Sequence, residues 1–328
     1  MFLIGVGAFL ALAASGVVYQ SVSERRERTR FPPPGRLVDV GGRRLHLVCL
    51  GEGHPTVIFE SSGFGTAVSS SKARTEVAGQ TRVCSYDRMG TGWSDAGPAV
   101  ISAGELAGDL DHLLTLAEIE PPHILVAASI GGLTAELFAR RYPERVAGLV
   151  FVDAATSGAI DRLVPEVTWM RTQLICLAPL AARVGLVRLI DPLRLQGNSG
   201  EDQARGVALI YRPEPIATLC GIVRGAAATA AEFRAAGPLA TDVPLIVLSA
   251  DSNKGLLPPG FSADRFISVA ERHAFHEAFS RRSSQGRWQI VPGSTHLIAS
   301  SHPHVVAGAA LELVAGARRR QASTAGGS

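Results

Sequence analysis

The sequence predicts an α/β protein: a doubly wound, mostly parallel eight-stranded sheet with a helical cap inserted after the sixth strand. Two observations predict the sheet. Short, almost continuous aliphatic runs recur along the chain, and segments with helical spacing fill several of the gaps between them. Strands that alternate with helices form right-handed crossovers and a parallel sheet. The third observation, a long helical stretch at about 155–241 without a strand pattern, predicts the cap.

The N-terminal segment is apolar. Residues 2–19 contain no charged side chain, and a helix of about 18 residues rises roughly 27 Å, enough to span a bilayer core. Several arginines follow between positions 25 and 30. By the positive-inside rule they predict a membrane anchor with the next domain on the cytoplasmic side. The alternative is a signal segment, cleaved near the small residues at 11–13, and export of the domain.

Strand-like runs follow a proline-rich linker at residues 31–35. In order they are Leu37–Val40, Arg43–Cys49, Pro55–Glu60, Arg82–Tyr86, His123–Ala127, Leu149–Asp153, Val243–Ser249 and Arg287–Val291. The middle runs are nearly all aliphatic, which is typical of strands that are covered on both faces.

Helical patterns separate several of these strands. They are Gly104–Ile119, Gly131–Arg141, Arg265–Arg281 and His304–Arg318. The predicted organisation is an anchor or signal segment at 1–30, a core in two parts at 31–154 and 242–320, the cap at 155–241 between them, and a disordered tail at 321–328.

Composition and cysteine spacing argue against nucleic-acid and metal binding. The formal net charge is +3, and the arginines are spread out instead of forming a basic face. The four cysteines have no metal-ligand spacing and no Cys-x-x-Cys pair. Cys49 and Cys84 lie in strand-like runs and are expected to be small buried residues. A disulfide between Cys176 and Cys220 stays open. The sequence predicts neither a metal nor a cofactor.

The most specific local motif surrounds Ser129. A buried strand ends just before this serine, and Gly131 and Gly132 open a helix after it. In a Gly-x-Ser-x-Gly elbow, small residues let the strand and the helix approach closely while the serine hydroxyl stays exposed. Here Ala127 replaces the first glycine. Ser129 is therefore the candidate nucleophile, with an ordinary helix cap as the alternative.

A second motif supports the first. Residues 86–95, Tyr-Asp-Arg-Met-Gly-Thr-Gly-Trp-Ser-Asp, resemble the Asp-Arg-x-Gly-x-Gly-x-Ser loop after the fourth strand of α/β-hydrolases. With the elbow, the chain resembles that family over about residues 31–315. The resemblance implies the α/β-hydrolase fold and a serine hydrolase of the esterase or lipase type. Within it, Asp87 and Arg88 are expected to brace the floor of the active site.

The resemblance also implies an oxyanion hole. The family carries a His-Gly-x loop after the strand that corresponds to residues 55–60, and Ser-Ser-Gly-Phe-Gly stands there at 61–65. The backbone N–H groups of Phe64 and Ile130 are then the candidate donors to a developing oxyanion. A plain glycine turn is the alternative for this loop.

His296 is the candidate general base. It follows the last strand, in the loop where the family carries its catalytic histidine, although Thr295 replaces the usual glycine. A neutral imidazole can take the serine proton and return it to the leaving group. Two carboxylates compete to orient it: Asp251, after the seventh strand, is slightly favoured over Asp153, at the end of the sixth. His276, on a later helix, is expected at the surface.

The order serine, aspartate, histidine along the chain is the order used in this fold. We therefore expect cleavage of carboxylic esters through an acyl-enzyme, and the apolar cap and anchor favour a lipophilic substrate. A serine in place of an aspartate nucleophile argues against epoxide and haloalkane hydrolysis. Two alternatives stay open: a non-catalytic relative that binds a small molecule or a protein, and a cofactor-free perhydrolase or amidase on the same triad.

Overall fold

The computed structural model describes residues 2–160, 169–190, 200–255 and 267–325. Strands of the described chain form one sheet: β1 Arg36–Asp39, β2 Arg44–Leu50, β3 Val57–Glu60, β4 Val83–Tyr86, β5 His123–Ala128, β6 Val146–Val152, β7 Leu245–Ala250 and β8 Gly286–Val291. Their order is β1-β2-β4-β3-β5-β6-β7-β8. The eight-stranded prediction is confirmed, and every strand boundary lies within three residues of the predicted one.

The sheet is mostly parallel. β2 runs antiparallel to both of its neighbours, β1 and β4, and the remaining pairs are parallel. Because parallel strands all leave the sheet at the same edge, the loops after β3, β5, β6, β7 and β8 meet there. This edge carries the predicted site residues.

Helices surround the sheet. They are α1 Phe2–Arg30, α2 Ser71–Ala78, α3 Ala103–Leu116, α4 Gly131–Arg141, α5 Trp169–Arg183, α6 Leu186–Ile190, α7 Gly200–Ile210, α8 Pro213–Arg224, α9 Ala226–Ala235, α10 Val269–Ser280, α11 Ile298–Ser301 and α12 Pro303–Ala325. Between β6 and β7 the described residues contain the helices α5 to α9 and no strand, so the predicted helical insertion is present after the sixth strand. Part of the predicted helix Arg265–Arg281 lies outside the described residues.

Two apolar layers hold the helices to the sheet. Buried side chains of α3 and α4, such as Leu110 and Phe138, pack on one face. Those of α2 and α12, such as Val77 and Val306, pack on the other. A sheet covered on both faces by helices accounts for the almost continuous aliphatic strands.

The C-terminal end differs from the prediction of a disordered tail. Instead of ending before Gln321, α12 continues to Ala325. Arg320 donates a hydrogen bond of 3.0 Å to the carbonyl of Ala147, and Arg318 donates one of 2.9 Å to the carbonyl of His54. These two contacts tie the last turns of the helix to the core. Residues 326–328 lie outside the described residues.

All four cysteines form disulfides. The expectation that Cys49 and Cys84 are separate small residues is wrong, because β2 and β4 are neighbours and place the two directly opposite each other, with their Cα atoms 4.0 Å apart. The second disulfide, Cys176–Cys220, joins α5 to α8 within the insertion. It is the pair that the sequence left open.

The N-terminal helix is continuous from the apolar segment to the linker. α1 is long and apolar enough to cross a membrane, and only 6% of its apolar 18-residue stretch is buried. Its second half contacts the insertion: Gln20 is buried and donates a hydrogen bond of 2.9 Å to the carbonyl of Tyr211. The helix that contains the predicted membrane segment therefore packs against the helical insertion.

Candidate active site

Ser129 occupies the turn between β5 and α4. Its φ is +52°, in the left-handed region that side chains other than glycine rarely adopt. Such a conformation costs about 1–3 kcal/mol and persists where the surroundings enforce it. Here two backbone hydrogen bonds to the Ser129 carbonyl enforce it, from the N–H of Gly132 at 3.0 Å and from that of Ala155 at 2.8 Å.

The glycines after the serine permit a close approach of backbones. A Cβ atom on Gly131 would lie 2.5 Å from the carbonyl oxygen of Ser61, and one on Gly132 would lie 2.3 Å from that of Ala155. Ala127, which replaces the first glycine of the elbow, is fully buried in the core. The extra methyl group is therefore accommodated, and the elbow forms without that glycine.

β6 brings Asp153 beside the serine. Ala128 at the end of β5 pairs with Val152 at the end of β6, so the next residue of each strand, Ser129 and Asp153, emerges at the same edge. Asp153 also has a positive φ, +45°. Two neighbouring strands thus end in two strained turns, and both carry candidate catalytic side chains.

His296 lies between these two residues. Its Nε2 is 2.9 Å from Ser129 Oγ, and its Nδ1 is 2.6 Å from Asp153 Oδ2. A carboxylate only accepts hydrogen bonds, so Nδ1 carries the proton and Nε2 is left to accept one from the serine hydroxyl. This tautomer is the one that a general base toward Ser129 requires.

Three groups hold the side chain of Asp153, which is buried. Its Oδ1 accepts a hydrogen bond of 2.9 Å from the N–H of Ala250 and lies 3.0 Å from Nε of Arg272. Burial alone would raise the pKa of Asp153, but the hydrogen bond and charge of His296, together with Arg272, hold this pKa below its ordinary value. Asp153 is therefore a carboxylate at neutral pH.

Asp251 has other partners. Its Oδ2 accepts a hydrogen bond of 2.9 Å from the N–H of Gly293, and its own N–H donates one of 3.2 Å to Ser294 Oγ. The side chain is exposed. The structure brings Asp153, and not the slightly favoured Asp251, to His296. The reason is that β7 ends at Ala250, whose N–H is directed to Asp153, and Asp251 then turns toward the loop after β8.

The predicted oxyanion donors lie on two adjoining segments. Ile130 has helical backbone angles at the N-terminus of α4, where N–H groups point out of the helix. The loop 61–65 lies against it, since a Cβ on Gly63 would be 3.7 Å from Cγ2 of Ile130. Neither Phe64 nor Ile130 donates its N–H to a backbone carbonyl within the described residues. Both N–H groups therefore have no backbone acceptor among the described residues and are free to bind a ligand.

Asp87 and Arg88 support this loop from below. Asp87 is buried and accepts hydrogen bonds from the N–H of Ala67 at 2.6 Å and from His46 Nδ1 at 2.8 Å. Arg88 donates to the carbonyl of Ser61 and forms an ion pair of 3.0 Å with Glu60. These contacts brace the backbone on either side of the oxyanion loop and agree with the bracing role that the resemblance implied for both residues.

His276 is a site residue that sequence reasoning missed. The expectation of a surface position is wrong, because α10 packs this histidine against β7 in a buried position. Its Nδ1 is 2.6 Å from Ser249 Oγ, and its Nε2 is 3.0 Å from the carbonyl of Ala154, beside Asp153. Burial lowers the pKa of His276 to about 4, so it is neutral at physiological pH. The position of His276 on its helix, three residues after His273, gave no signal for this contact.

The described part of the chain contains no cluster of three or more His, Cys, Asp or Glu side chains suited to a metal ion. What the described residues do assemble is a hydrogen-bonded chain from a strained serine through an imidazole to a buried carboxylate. Such an arrangement activates a hydroxyl group for attack on an electrophilic carbon.

Comparisons with known proteins agree on the fold. A family model described as alpha/beta hydrolase fold matches residues 55–174. A thermophilic esterase from Thermogutta terrifontis superposes with a TM-score of 0.60 at 20% identity, covering 86% of this chain and 98% of that one. The enol-lactonase from Burkholderia xenovorans LB400 superposes with a TM-score of 0.62 at 18% identity, covering 85% and 100%. At these identities the likeness establishes the fold.

Curated relatives match a shorter part of the chain. An uncharacterised protein of Schizosaccharomyces pombe is 32% identical over 127 residues, which is 39% of this chain and 23% of that protein. The chain matches less than half the length of each of the first three curated relatives. The names of these three relatives state no activity, so they assign no reaction to this chain.

Proposed function

We propose that this chain, which has the α/β-hydrolase fold, is a serine hydrolase that cleaves carboxylic esters through an acyl-enzyme intermediate. The observation that carries the proposal is the continuous relay from Ser129 Oγ to His296 Nε2 at 2.9 Å and from His296 Nδ1 to Asp153 Oδ2 at 2.6 Å. In this assignment Ser129 is the nucleophile, His296 the general base and Asp153 the residue that orients the histidine.

Acylation follows from the relay. As Ser129 Oγ bonds to the ester carbonyl carbon, its proton moves to Nε2 of His296, and the carbonyl oxygen becomes an oxyanion. The N–H groups of Phe64 and Ile130 stabilise this charge. His296 then gives its proton to the alkoxide oxygen, the ester bond breaks and the alcohol leaves. Asp153 remains ionised throughout and stabilises the imidazolium.

Deacylation repeats the sequence with water as the nucleophile. His296 removes a proton from water, the hydroxide attacks the acyl carbon, and the proton returns to Ser129 Oγ as the carboxylic acid departs. Both halves of the reaction use side chains and backbone groups of this chain together with water.

The helical insertion is proposed as a cap over this site. Leu219 on α8 supports this role, because its Cδ1 would lie 3.6 Å from a Cβ on Gly63 in the oxyanion loop. An aliphatic side chain at this position favours a substrate with an apolar acyl or alcohol group. Within the cap, the Cys176–Cys220 disulfide ties α8 to α5.

We also propose that the catalytic domain lies in an oxidising compartment. The disulfides Cys49–Cys84 and Cys176–Cys220 support this placement, because disulfides form and persist outside the reducing cytosol. The proposal departs from the cytoplasmic placement that the arginines of α1 predict. The two disulfides outweigh that rule, since they would be reduced in a cytoplasmic domain.

Hydrolysis of p-nitrophenyl esters, from acetate through decanoate, tests the proposed reaction. The full chain in detergent is the suitable sample, because removal of residues 1–30 would delete Gln20 and its contact with the insertion. We expect turnover by the wild type and by the control variant Ser71→Ala, at an exposed serine on α2, and none by Ser129→Ala. If no ester in the series is turned over, the non-catalytic binding protein becomes the better account.

A further inference from the structure

An apolar surface on the insertion lies beside α1. We call it the α5–α6 face. It consists of residues of α5, of α6 and of the turn between them that range from 37% to 82% exposed: Leu177, Leu180, Val184, Leu186, Leu189 and Ile190. Single exposed aliphatic residues are common on soluble proteins, but a cluster of this kind marks an interaction site.

The face is continuous with the membrane segment. A Cβ on Gly16 of α1 would lie 2.3 Å from the carbonyl oxygen of Val184, so the two backbones touch where α5 ends. Gly185 lies close to Tyr19, since a Cβ on Gly185 would be 3.0 Å from Cδ1 of that ring. Small residues at such crossings permit close packing of helices in membranes.

The position of Gly16 along α1 indicates where the α5–α6 face lies relative to the bilayer. Gly16 lies three residues before the end of the uncharged segment 2–19, which corresponds to about 4–5 Å along a helix. If that segment spans the bilayer, Val184 lies at the edge of the hydrocarbon core. The residues of α6, which follow Val184, then lie at the same boundary. There the three exposed aliphatic side chains of this helix, Leu186, Leu189 and Ile190, contact lipid instead of water.

The polar side of α6 is turned the other way. Arg188 donates a hydrogen bond of 2.7 Å to Gln20 Oε1 and one of 2.8 Å to Glu27 Oε2 of α1. It is thereby paired against α1, while Leu189, its neighbour in sequence, is 82% exposed. A short helix with its charge satisfied inward and its aliphatic residues outward suits an apolar medium.

From these observations we infer that the α5–α6 face is a membrane-binding surface, which inserts into the apolar edge of the lipid leaflet beside the point where α1 leaves it. The occupant of the face is lipid, because the face continues the surface of a helix that itself fits a bilayer and is only 6% buried over its apolar window. The inference concerns the placement of the insertion and does not depend on the proposed reaction.

Site-specific fluorescence on the full chain in vesicles tests this inference. All four native cysteines are in disulfides, so Leu189→Cys provides a single reactive thiol for an environment-sensitive fluorophore. Leu116→Cys is the matched control, because Leu116 is 54% exposed on α3, outside the helical insertion. Both substitutions are at exposed positions, and thermal unfolding of each labelled variant verifies that the fold is kept.

In vesicles of phosphatidylcholine and phosphatidylglycerol, the emission of the label at Leu189→Cys should shift to the blue. Brominated lipid in these vesicles should quench this emission, and aqueous iodide should not. The Leu116→Cys control should show the reverse: quenching by iodide and none by brominated lipid. If iodide quenches both labels equally, the face is in water and the inference is overturned. If the Leu189→Cys label is shielded from both quenchers, protein covers the face, which overturns lipid as the occupant.

Discussion

His296 Nδ1 lies 2.6 Å from Asp153 Oδ2, although 143 positions separate the two residues in the chain. This contact distinguishes the two candidate acids. Asp153→Asn removes the charge that fixes the histidine tautomer, so we expect kcat to fall by about 10⁴-fold, with a smaller change in KM. Asp251→Asn changes a side chain bonded to the Gly293 backbone and should leave kcat unchanged.

Steady-state kinetics on p-nitrophenyl butyrate compares the two aspartate variants directly. A loss of kcat in Asp251→Asn that matches or exceeds the loss in Asp153→Asn would contradict the assignment. Thermal unfolding of both proteins separates a catalytic loss from a loss of fold.

A glycine substitution at the elbow tests the close approach behind Ser129. A Cβ on Gly131 would lie 2.5 Å from the carbonyl oxygen of Ser61, so Gly131→Ala must displace either the helix or the oxyanion loop. We expect a fall in kcat of about two to three orders of magnitude, comparable to the removal of one oxyanion donor. Gly108→Ala, on α3 with no atom within 4 Å of the new Cβ, is the matched control.

The control variant Gly108→Ala is itself expected to change the stability of the fold. Alanine is a better helix former than glycine, so Gly108→Ala should keep full activity and raise stability by up to about 1 kcal/mol. Equal activity of Gly131→Ala and Gly108→Ala in the ester assay would show that the close approach is not needed.

The disulfide between α5 and α8 is expected to stabilise the insertion. Its loop closes over 44 residues, and a crosslink of this kind contributes about 2–4 kcal/mol. The double variant Cys176→Ser, Cys220→Ser should unfold at a lower temperature than the wild type.

Reaction with a maleimide measures the oxidation state of the cysteines in protein isolated from membranes. No thiol should react before reduction, and four should react after it. Thiols that are free in the membrane-bound protein would contradict the oxidising placement.

The stability of the fold should fall in mild acid through His276. Burial lowers the pKa of this histidine from 6.5 to about 4. Between these values the unfolded chain takes up a proton that the folded chain excludes, so the free energy of unfolding falls as the pH falls. His276 contributes about 2 kcal/mol of this loss at about pH 5, and the depressed pKa of Asp153 adds a loss of the same sign at lower pH.

Urea unfolding at neutral and mildly acidic pH measures this dependence. The variant His276→Gln should lose less stability than the wild type between the two conditions. His304→Gln, at an exposed position on α12, is the control and should follow the wild type. An acid loss in His276→Gln as large as that of the wild type would assign the dependence to other groups.

The strands and the elbow could be predicted from the sequence because each depends on local residue patterns. Buried parallel strands require continuous aliphatic runs, and the turn at Ser129 requires small neighbours, so both leave a trace within about ten residues of sequence. His296 was predicted from its position after the last strand together with the resemblance to the family, and its role as a base stays a prediction.

The contact of Asp153 with His296, the first disulfide and the position of His276 depend on which elements become neighbours, and no local pattern records that. Asp153 reaches His296 because β6 lies next to β5 and ends in a left-handed turn. Cys49 meets Cys84 because β2 pairs with β4 and not with β3. The order of strands in the sheet is set by packing of the whole domain, which a single sequence does not display.

Labelling with a fluorophosphonate probe tests the central claim most directly. The probe bonds only to a serine whose hydroxyl is activated by a neighbouring base, and peptide mapping identifies the serine that it modifies. The account predicts one probe per chain, on Ser129, with loss of labelling in Ser129→Ala and in His296→Ala. An intact, folded protein that takes up no probe, or that takes it up at another serine, would contradict the claim that Ser129 and His296 form a nucleophile and its base.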